Sequence, residues 1–280
     1  MKALVLGAAG QLGSELVRLL PDAVGYSHHE LSVSDRAAIE AACVRYRPEV
    51  VFNCAAYNAV DQAEIEPELA HDVNAVGAEN AALACSRHGV RLVHFSTNFV
   101  FDGRFDRPYI EKDEARPLGA YGRSKLAGEK AVLAVLPEAL VLRTAAVFGD
   151  RGSAIKGGSF PQRIVERAAR GEQIRVVSDQ RVNPTYARDL ARAASALASS
   201  ELNGLVHVVA EGCCGWDEFA RVALAACGVE ATVEPVSTDE LASPAARPLN
   251  GCLGSVRTQP LRPWQEGVAE WASNWRQQKA

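Results

Sequence analysis

The 280-residue chain has no C-x-x-C pair, a single methionine, only 6% aromatic residues and no long uninterrupted apolar run. Each shortage removes a class of protein. The longest apolar region, AVLAVLPEALVLRTAAV, is broken by Pro137, Glu138 and Arg143, well short of the roughly 20 residues that a membrane-crossing helix requires. The N-terminal apolar stretch reaches Gly7 too soon to form a signal-peptide core, so no membrane partner and a cytoplasmic location are expected. Thirty basic against 34 acidic residues leave a formal charge of −4, with no basic block and no aromatic-interleaved patch, so nucleic acid is not an expected partner. The seven cysteines lie mostly in apolar contexts and are expected to be buried, reduced thiols. The acidic residues of the C-terminal half are too scattered to predict a metal site.

What is present is alternation. Short β-branched runs (KALVL, DAVGY, EVVFN, RLVHF, ALVLR) exchange with longer amphipathic stretches beginning near Gln11, spanning Asp35 to Tyr46, running through PELAHDVNAVGAENAALACSRHG, and surrounding Tyr121. Strands alternating with helices require crossover connections, which predicts an α/β fold with a doubly wound parallel sheet of the Rossmann kind. Beyond Gly149 the rhythm loosens into Gly-rich loops, which predicts a smaller C-terminal substrate-binding lobe. The division expected is 1–150 and 182–212 for the dinucleotide-binding domain, and 151–181 and 213–280 for the lobe. Near the C-terminus Trp264, Val268, Trp271 and Trp275 share one helix face, which either docks onto the domain or forms a homodimer contact.

GAAGQLG places Gly7, Gly10 and Gly13 between the first strand and the first helix, where glycines allow a tight turn and free helix N–H groups can hold a pyrophosphate. A dinucleotide is therefore the expected ligand. The second strand ends in YSHHE, so Ser27 and His28, followed by His29, stand where a carboxylate would grip the adenosine ribose. With nothing there to repel a 2′-phosphate, the cofactor expected is NADPH or NADH. RLVHFSTNF puts Ser96 and Thr97 at the carboxyl end of the fourth strand, the edge where open α/β sheets bind ligands. In AYGRSKLAGEK, Tyr121 stands four residues before Lys125 and shares its helix face. When a hydride reaches a carbonyl carbon the oxygen needs a proton at once, which a phenol can supply. A neighbouring ammonium is expected to lower that phenol from its ordinary pKa near 10. Cations for a diphosphate are expected from Lys156, Arg163 or Arg247 in the C-terminal loops.

With these motifs in order, and with VVFNCAAYNAVDQAE, YIEKDEARPLGAYGRSKLAGE, VVSDQRVNPTYARDLA and RPLNGCL beside them, the chain resembles the extended short-chain dehydrogenase/reductases, and among them the dTDP-4-dehydrorhamnose reductase subfamily. The resemblance implies that Thr97, Tyr121 and Lys125 are catalytic. It also implies that Gly7, Gln11 and Leu12 contact the pyrophosphate, that Ala55, Ala56 and Tyr57 line the cofactor, and that Val60 faces a nucleotide-sugar substrate. Several positions depart from the subfamily's pattern. Asn98 and Phe99 replace an Asp-Tyr pair beside Thr97, Ala146 stands where a Trp commonly packs on the sugar, and Ser32, Ser159 and Asn183 replace the usual Asp, Asn and Gly. Reduction of the 4-ketone of a nucleotide-linked deoxy sugar is the activity implied. A nucleotide-sugar epimerase and a non-catalytic dinucleotide-binding subunit are the competing expectations.

Overall fold

The structure, a computed structural model, describes residues 1–151 and 157–279, so Lys156 lies outside the described residues. Five of its strands are β1 (Ala3–Leu6), β2 (Val24–Tyr26), β3 (Val50–Asn53), β4 (Arg91–Thr97) and β5 (Leu140–Thr144). A sixth, Gly204–His207, completes one all-parallel sheet in the order 204–207, β5, β4, β3, β1, β2. Helices α1 (Gln11–Leu19), α2 (Arg36–Tyr46), α3 (Pro67–His71), α4 (Gly77–His88) and α5 (Ala120–Val135) supply crossovers. β1, β3 and β5 are buried along their length, the edge strand β2 only partly, and the sheet is sandwiched between two apolar clusters, which is why its central strands read as mainly apolar runs. Each fully buried Val, Leu or Phe in them contributes roughly 1.5–3 kcal/mol. The alternation of short apolar and amphipathic stretches therefore predicts the architecture correctly.

The chain leaves β1 toward β2 on one side and returns to β3 on the other, so β1 and β3 flank a topological switch point. Parallel pairing sets Leu6 against Asn53 and Thr97 against Thr144, bringing the carboxyl ends of four strands to one edge. The long helix expected after β3 is interrupted: a π turn, Asp72–Val76, separates α3 from α4. There the Asn74 carbonyl lies against Gly128 of α5, an approach closed to any residue with a Cβ. Such turns often accompany functional sites.

A further cluster, built on Phe148, Ile164, Val176, Phe219, Trp264, Val268 and Trp271, forms away from the sheet. The helix Trp264–Lys279 buries Trp264, Val268 and Trp271 in it, so that apolar face docks within the chain. The expectation of seven thiols is corrected at one pair: Cys213 and Cys252, with Cα atoms 6.0 Å apart, are joined in a disulfide. Thirty-nine residues separate them, and only the folding of the 249–254 segment across the sheet's edge brings them together. Cys43, Cys54, Cys85, Cys214 and Cys227 are thiols.

Candidate active site

The cradle begins at Gly7. Its φ of +77° is a left-handed conformation, and a Cβ there would meet the Ala55 nitrogen at 2.7 Å. At Gly13 a Cβ would meet Ala8 Cα at 2.9 Å. The turn thus closes tightly only because these two side chains are absent, and it aims the N-terminus of α1 at the switch point. Gly10 caps α1 with no side-chain bond and no acid lies in its first turn, so among the described residues the leading N–H groups are left for an anion. Gln11 Oε1 is buried with no partner among the described residues. The glycine turn and the free N–H groups fit the diphosphate of a dinucleotide, whereas the Gln11 Oε1 acceptor calls for a hydroxyl or amide donor instead. Across the switch point Asn53 Oδ1 accepts from the Ala55 N–H, and Asn74 bonds both backbone groups of Tyr57, holding Ala55, Ala56 and Tyr57 as the opposite wall. Tyr57 Oη donates to Glu66, and burial with that bond pushes the phenol up to about 12.

At the tip of β2 the structure adds a group that sequence reasoning missed. Glu30 turns back so that the Ser27 N–H and Oγ donate to its carboxylate at 2.8 and 2.7 Å, bonds that hold its pKa below the usual range. The tip therefore carries a carboxylate beside His28 and His29, although one of its oxygens is already engaged.

Thr97 ends β4 and Tyr121 opens α5. Glu64 accepts from the Ala120 N–H at 2.7 Å, capping the helix from a distant turn and fixing where Tyr121 begins. The Thr97 hydroxyl accepts from the Phe99 N–H and bonds Asn98 Oδ1, while Asn98 Nδ2 donates to the Gly251 carbonyl. An amide can both accept and donate here, which gives the Asn98 departure a physical reason, because an Asp could not donate to Gly251. Phe99 meets the Tyr121 ring edge-on, with centroids 5.4 Å apart.

The acidity of the phenol does not follow the sequence-based expectation. Burial pushes Tyr121 up to about 12, and the force that opposes it is a hydrogen bond with Thr97 rather than the charge of Lys125. The Lys125 ammonium instead donates to the Phe95 carbonyl at 2.7 Å and is itself lowered by burial to about 8. Such a phenol stays protonated at neutral pH, the state a proton donor needs. Losing the ammonium above about pH 8 should lower kcat/KM as pH rises through that value. A profile flat to pH 9.5 would exclude a role for the Lys125 charge.

Ser96, read as a possible site hydroxyl, points away from Thr97 and donates to Glu129. Thr144, opposite Thr97 on β5, is buried with its hydroxyl unpartnered among the described residues, a group that nothing in the sequence singled out. Val60 is partly buried beside Asp61, and Arg247 reaches across to pair with Asp61 at 2.7 Å. Arg163 is exposed on the helix Phe160–Ala169. Ala146 adopts φ +42°, left-handed for a residue with a Cβ. Asn183 explains its own departure: it bonds the Ala210 and Gly212 carbonyls and accepts from the Leu253 N–H at 2.7 Å, anchoring the segment that meets Asn98.

Comparison with known proteins agrees with this geometry. The sequence matches the RmlD substrate binding domain family over residues 1–277. It is 40% identical over 285 residues to dTDP-4-dehydrorhamnose reductase of Mycobacterium tuberculosis, covering 96% of this chain and 91% of that one. It is 36% identical over 278 residues to dTDP-4-keto-6-deoxy-D-glucose reductase of Streptomyces niveus, covering 95% of each. The crystal structure of dTDP-4-dehydrorhamnose reductase from Bacillus anthracis in complex with NADP superposes with a TM-score of 0.93 at 33% identity, over 98% of this chain and all of that one. A glycine cradle, a Thr and a Tyr at one sheet edge, and these similarities across nearly the whole length show that the chain belongs to the RmlD substrate binding domain family.

Proposed function

We propose that the protein is an NAD(P)H-dependent oxidoreductase that reduces the 4-ketone of a nucleotide-linked deoxy sugar, with dTDP-4-dehydrorhamnose as its first candidate substrate. The observation that carries this reading is the placement of Thr97, at the end of β4, beside Tyr121, at the start of α5, on the same sheet edge as the Gly7–Gly13 cradle. Relatives named as reductases of dTDP-linked keto sugars support it.

The α1 N-terminus, with Gly7, Gly10, Gln11, Leu12 and Gly13, would hold the diphosphate, while Ala55, Ala56 and Tyr57 would form the wall on the β3 side. When bound, the reduced nicotinamide supplies the hydride. The protein's part is the proton. Thr97 would orient the substrate oxygen, Tyr121 would give its phenolic proton to that oxygen as negative charge develops, and the Lys125 ammonium would hold the nicotinamide ribose. Val60, Asn98, Phe99 and Ala146 would border the sugar, with the described residues of 151–181 and 213–280 forming the substrate lobe beside it. We assign Arg247 to the diphosphate side of that lobe, where Asp61 holds it in place. A cytoplasmic location and a possible homodimer complete the reading. Among the described residues no helix is long and apolar enough to cross a membrane.

Two experiments test the finer assignments. Either reduced nicotinamide dinucleotide should support turnover, and Glu30→Gln should lower the Michaelis constant for NADPH while leaving that for NADH nearly unchanged, by removing a negative charge from the tip where a 2′-phosphate would sit; an NADPH value unmoved by the substitution would overturn this placement. Because Ala146 stands where the subfamily commonly carries a Trp, the 4-keto-6-deoxy forms of L-mannose and D-glucose, each linked to dTDP, should be compared directly. Higher kcat/KM for the L-sugar supports dTDP-4-dehydrorhamnose, and the reverse reassigns the substrate within the same chemistry.

A further inference from the structure

Behind the site lies a buried polar array that the mechanism above does not use. Ser96 on β4, Glu129 on α5 and Arg143 on β5 are each less than 6% exposed. The Ser96 hydroxyl donates to Glu129 Oε1 at 2.5 Å, and Arg143 donates to both carboxylate oxygens, from Nε at 2.7 Å and from Nη2 at 2.6 Å. Strand pairing sets Ser96 directly against Arg143, so one carboxylate ties two adjacent strands to one helix. Arg143 also lies over the Phe101 ring, 4.9 Å from its centroid.

Three consecutive β4 residues thereby engage three successive turns of α5. The Phe95 carbonyl accepts from Lys125, the Ser96 hydroxyl donates to Glu129, and Thr97 stands beside Tyr121. Tyr121, Lys125 and Glu129 follow at intervals of four and so occupy one face. A slip of α5 by one residue would rotate that face by about 100° and carry the phenol away from Thr97. Apolar packing alone fixes such a register poorly, because apolar contacts are not directional, whereas a bidentate guanidinium–carboxylate pair accepts a narrow range of geometry. A buried ion pair is also a costly way to hold a helix, since well-packed apolar residues often do so at lower free-energy cost.

We propose that Ser96, Glu129 and Arg143 are positioning residues, which set the register of α5 on β4 so that Tyr121 meets Thr97, with Glu129 supplying the negative charge beside the Lys125 ammonium. This rests on the reading of Tyr121 and Lys125 as the proton donor and its partner. Burial lowers Lys125 to about 8, and Glu129 is the first of the charges that oppose this. The other groups facing the ammonium contribute less. Cys54, at the end of β3, is held as a thiol by burial, His94 on β4 is held well below its ordinary pKa by burial and by Lys125, Tyr121 is protonated, and the Arg143 charge is matched by Glu129.

The test uses the full chain carrying Ser96→Ala or Glu129→Gln, with thermal unfolding and the NADPH dissociation constant measured alongside kcat and its pH profile. Ser96→Ala removes one hydrogen bond and no charge. It should fold, bind NADPH within about threefold of wild type, and lose about tenfold in kcat, because a displaced donor costs rate more than ground-state binding. Glu129→Gln should move the alkaline limb of kcat/KM about one pH unit lower by withdrawing the charge that supports the ammonium. Should Glu129→Gln fail to fold, the Ser96→Ala result decides. Folded variants with wild-type kcat and an unmoved alkaline limb would overturn the positioning role while leaving the reductase reading intact. A wild-type protein that turns over no keto sugar would remove the reading beneath it, and the positioning role with it.

Discussion

Replacing Tyr121 by Phe should lower kcat by about 100- to 10,000-fold while leaving NADPH binding nearly unchanged. The ring remains and keeps its edge contact with Phe99, whose centroid lies 5.4 Å away, so packing at the start of α5 is preserved. What disappears is the proton. In the wild type burial holds the phenol at about 12, which keeps it protonated through the neutral range, and Thr97 stands beside it. The variant leaves the Thr97 hydroxyl to orient the substrate oxygen without any adjacent donor, and water must replace the phenol in a confined site. Steady-state kinetics with a cofactor-binding control separates the outcomes. A loss below tenfold would mean that another group delivers the proton, and the Thr144 hydroxyl on β5, unpartnered among the described residues, would become the first to examine.

The second large effect is expected at Gly7, where Ala should destabilise the protein and abolish detectable cofactor binding. Two costs act together. The φ of +77° imposes about 1–2 kcal/mol on any residue with a Cβ, and the added methyl would meet Ala55 N at 2.7 Å and the Cys54 carbonyl carbon at 2.8 Å. Both neighbours are backbone of the β3 exit, so relief requires β1 and β3 to part at the switch point, at a further cost of about 1–3 kcal/mol. Gly89 supplies the comparison. It has φ +64° but nothing within 4 Å of its Cβ position, so Gly89→Ala should show the strain alone and bind NADPH as the wild type does. Thermal unfolding with fluorescence titration of NADPH reads both effects. Equal behaviour of the two variants would contradict the assignment of Gly7 to the cofactor cradle.

The features legible in the sequence were those carried by neighbouring residues. A strand, a glycine-spaced turn and a helix are contiguous at residues 3–19, so the cradle is written locally. Tyr121 and Lys125 lie one helical turn apart, and Thr97 ends an unmistakable apolar strand. What escaped depends on contacts across the chain. Glu64 caps α5 from 56 residues away, Asn98 bonds a carbonyl 153 residues on, and Ser96 meets Glu129 across 33 residues. No periodicity announces such pairs. Sequence reasoning did flag Asn98 and Asn183 as departures, and only the position of the 249–254 segment, which both side chains hold, shows why amides serve there.

Charge was misjudged for a related reason. Spacing alone puts an ammonium near the phenol and suggests that it sets the acidity, but spacing carries no information about solvent. In the folded chain the largest influence on both Tyr121 and Lys125 is loss of water, which moves the two groups toward their uncharged forms. The empty tip read at YSHHE fails similarly, because the Glu30 carboxylate reaches Ser27 only through a turn.

The most direct test of the account is oxidation of NADPH by the purified protein when it is given enzymatically generated dTDP-4-keto-6-deoxy-L-mannose, with the sugar product identified by NMR. The account predicts one NADPH consumed per sugar and a hydroxyl in place of the ketone at C4. NADPH that binds but is not consumed, with this sugar or with its D-glucose counterpart, would contradict it and leave a dinucleotide-binding protein whose Tyr121 and Lys125 serve no reduction.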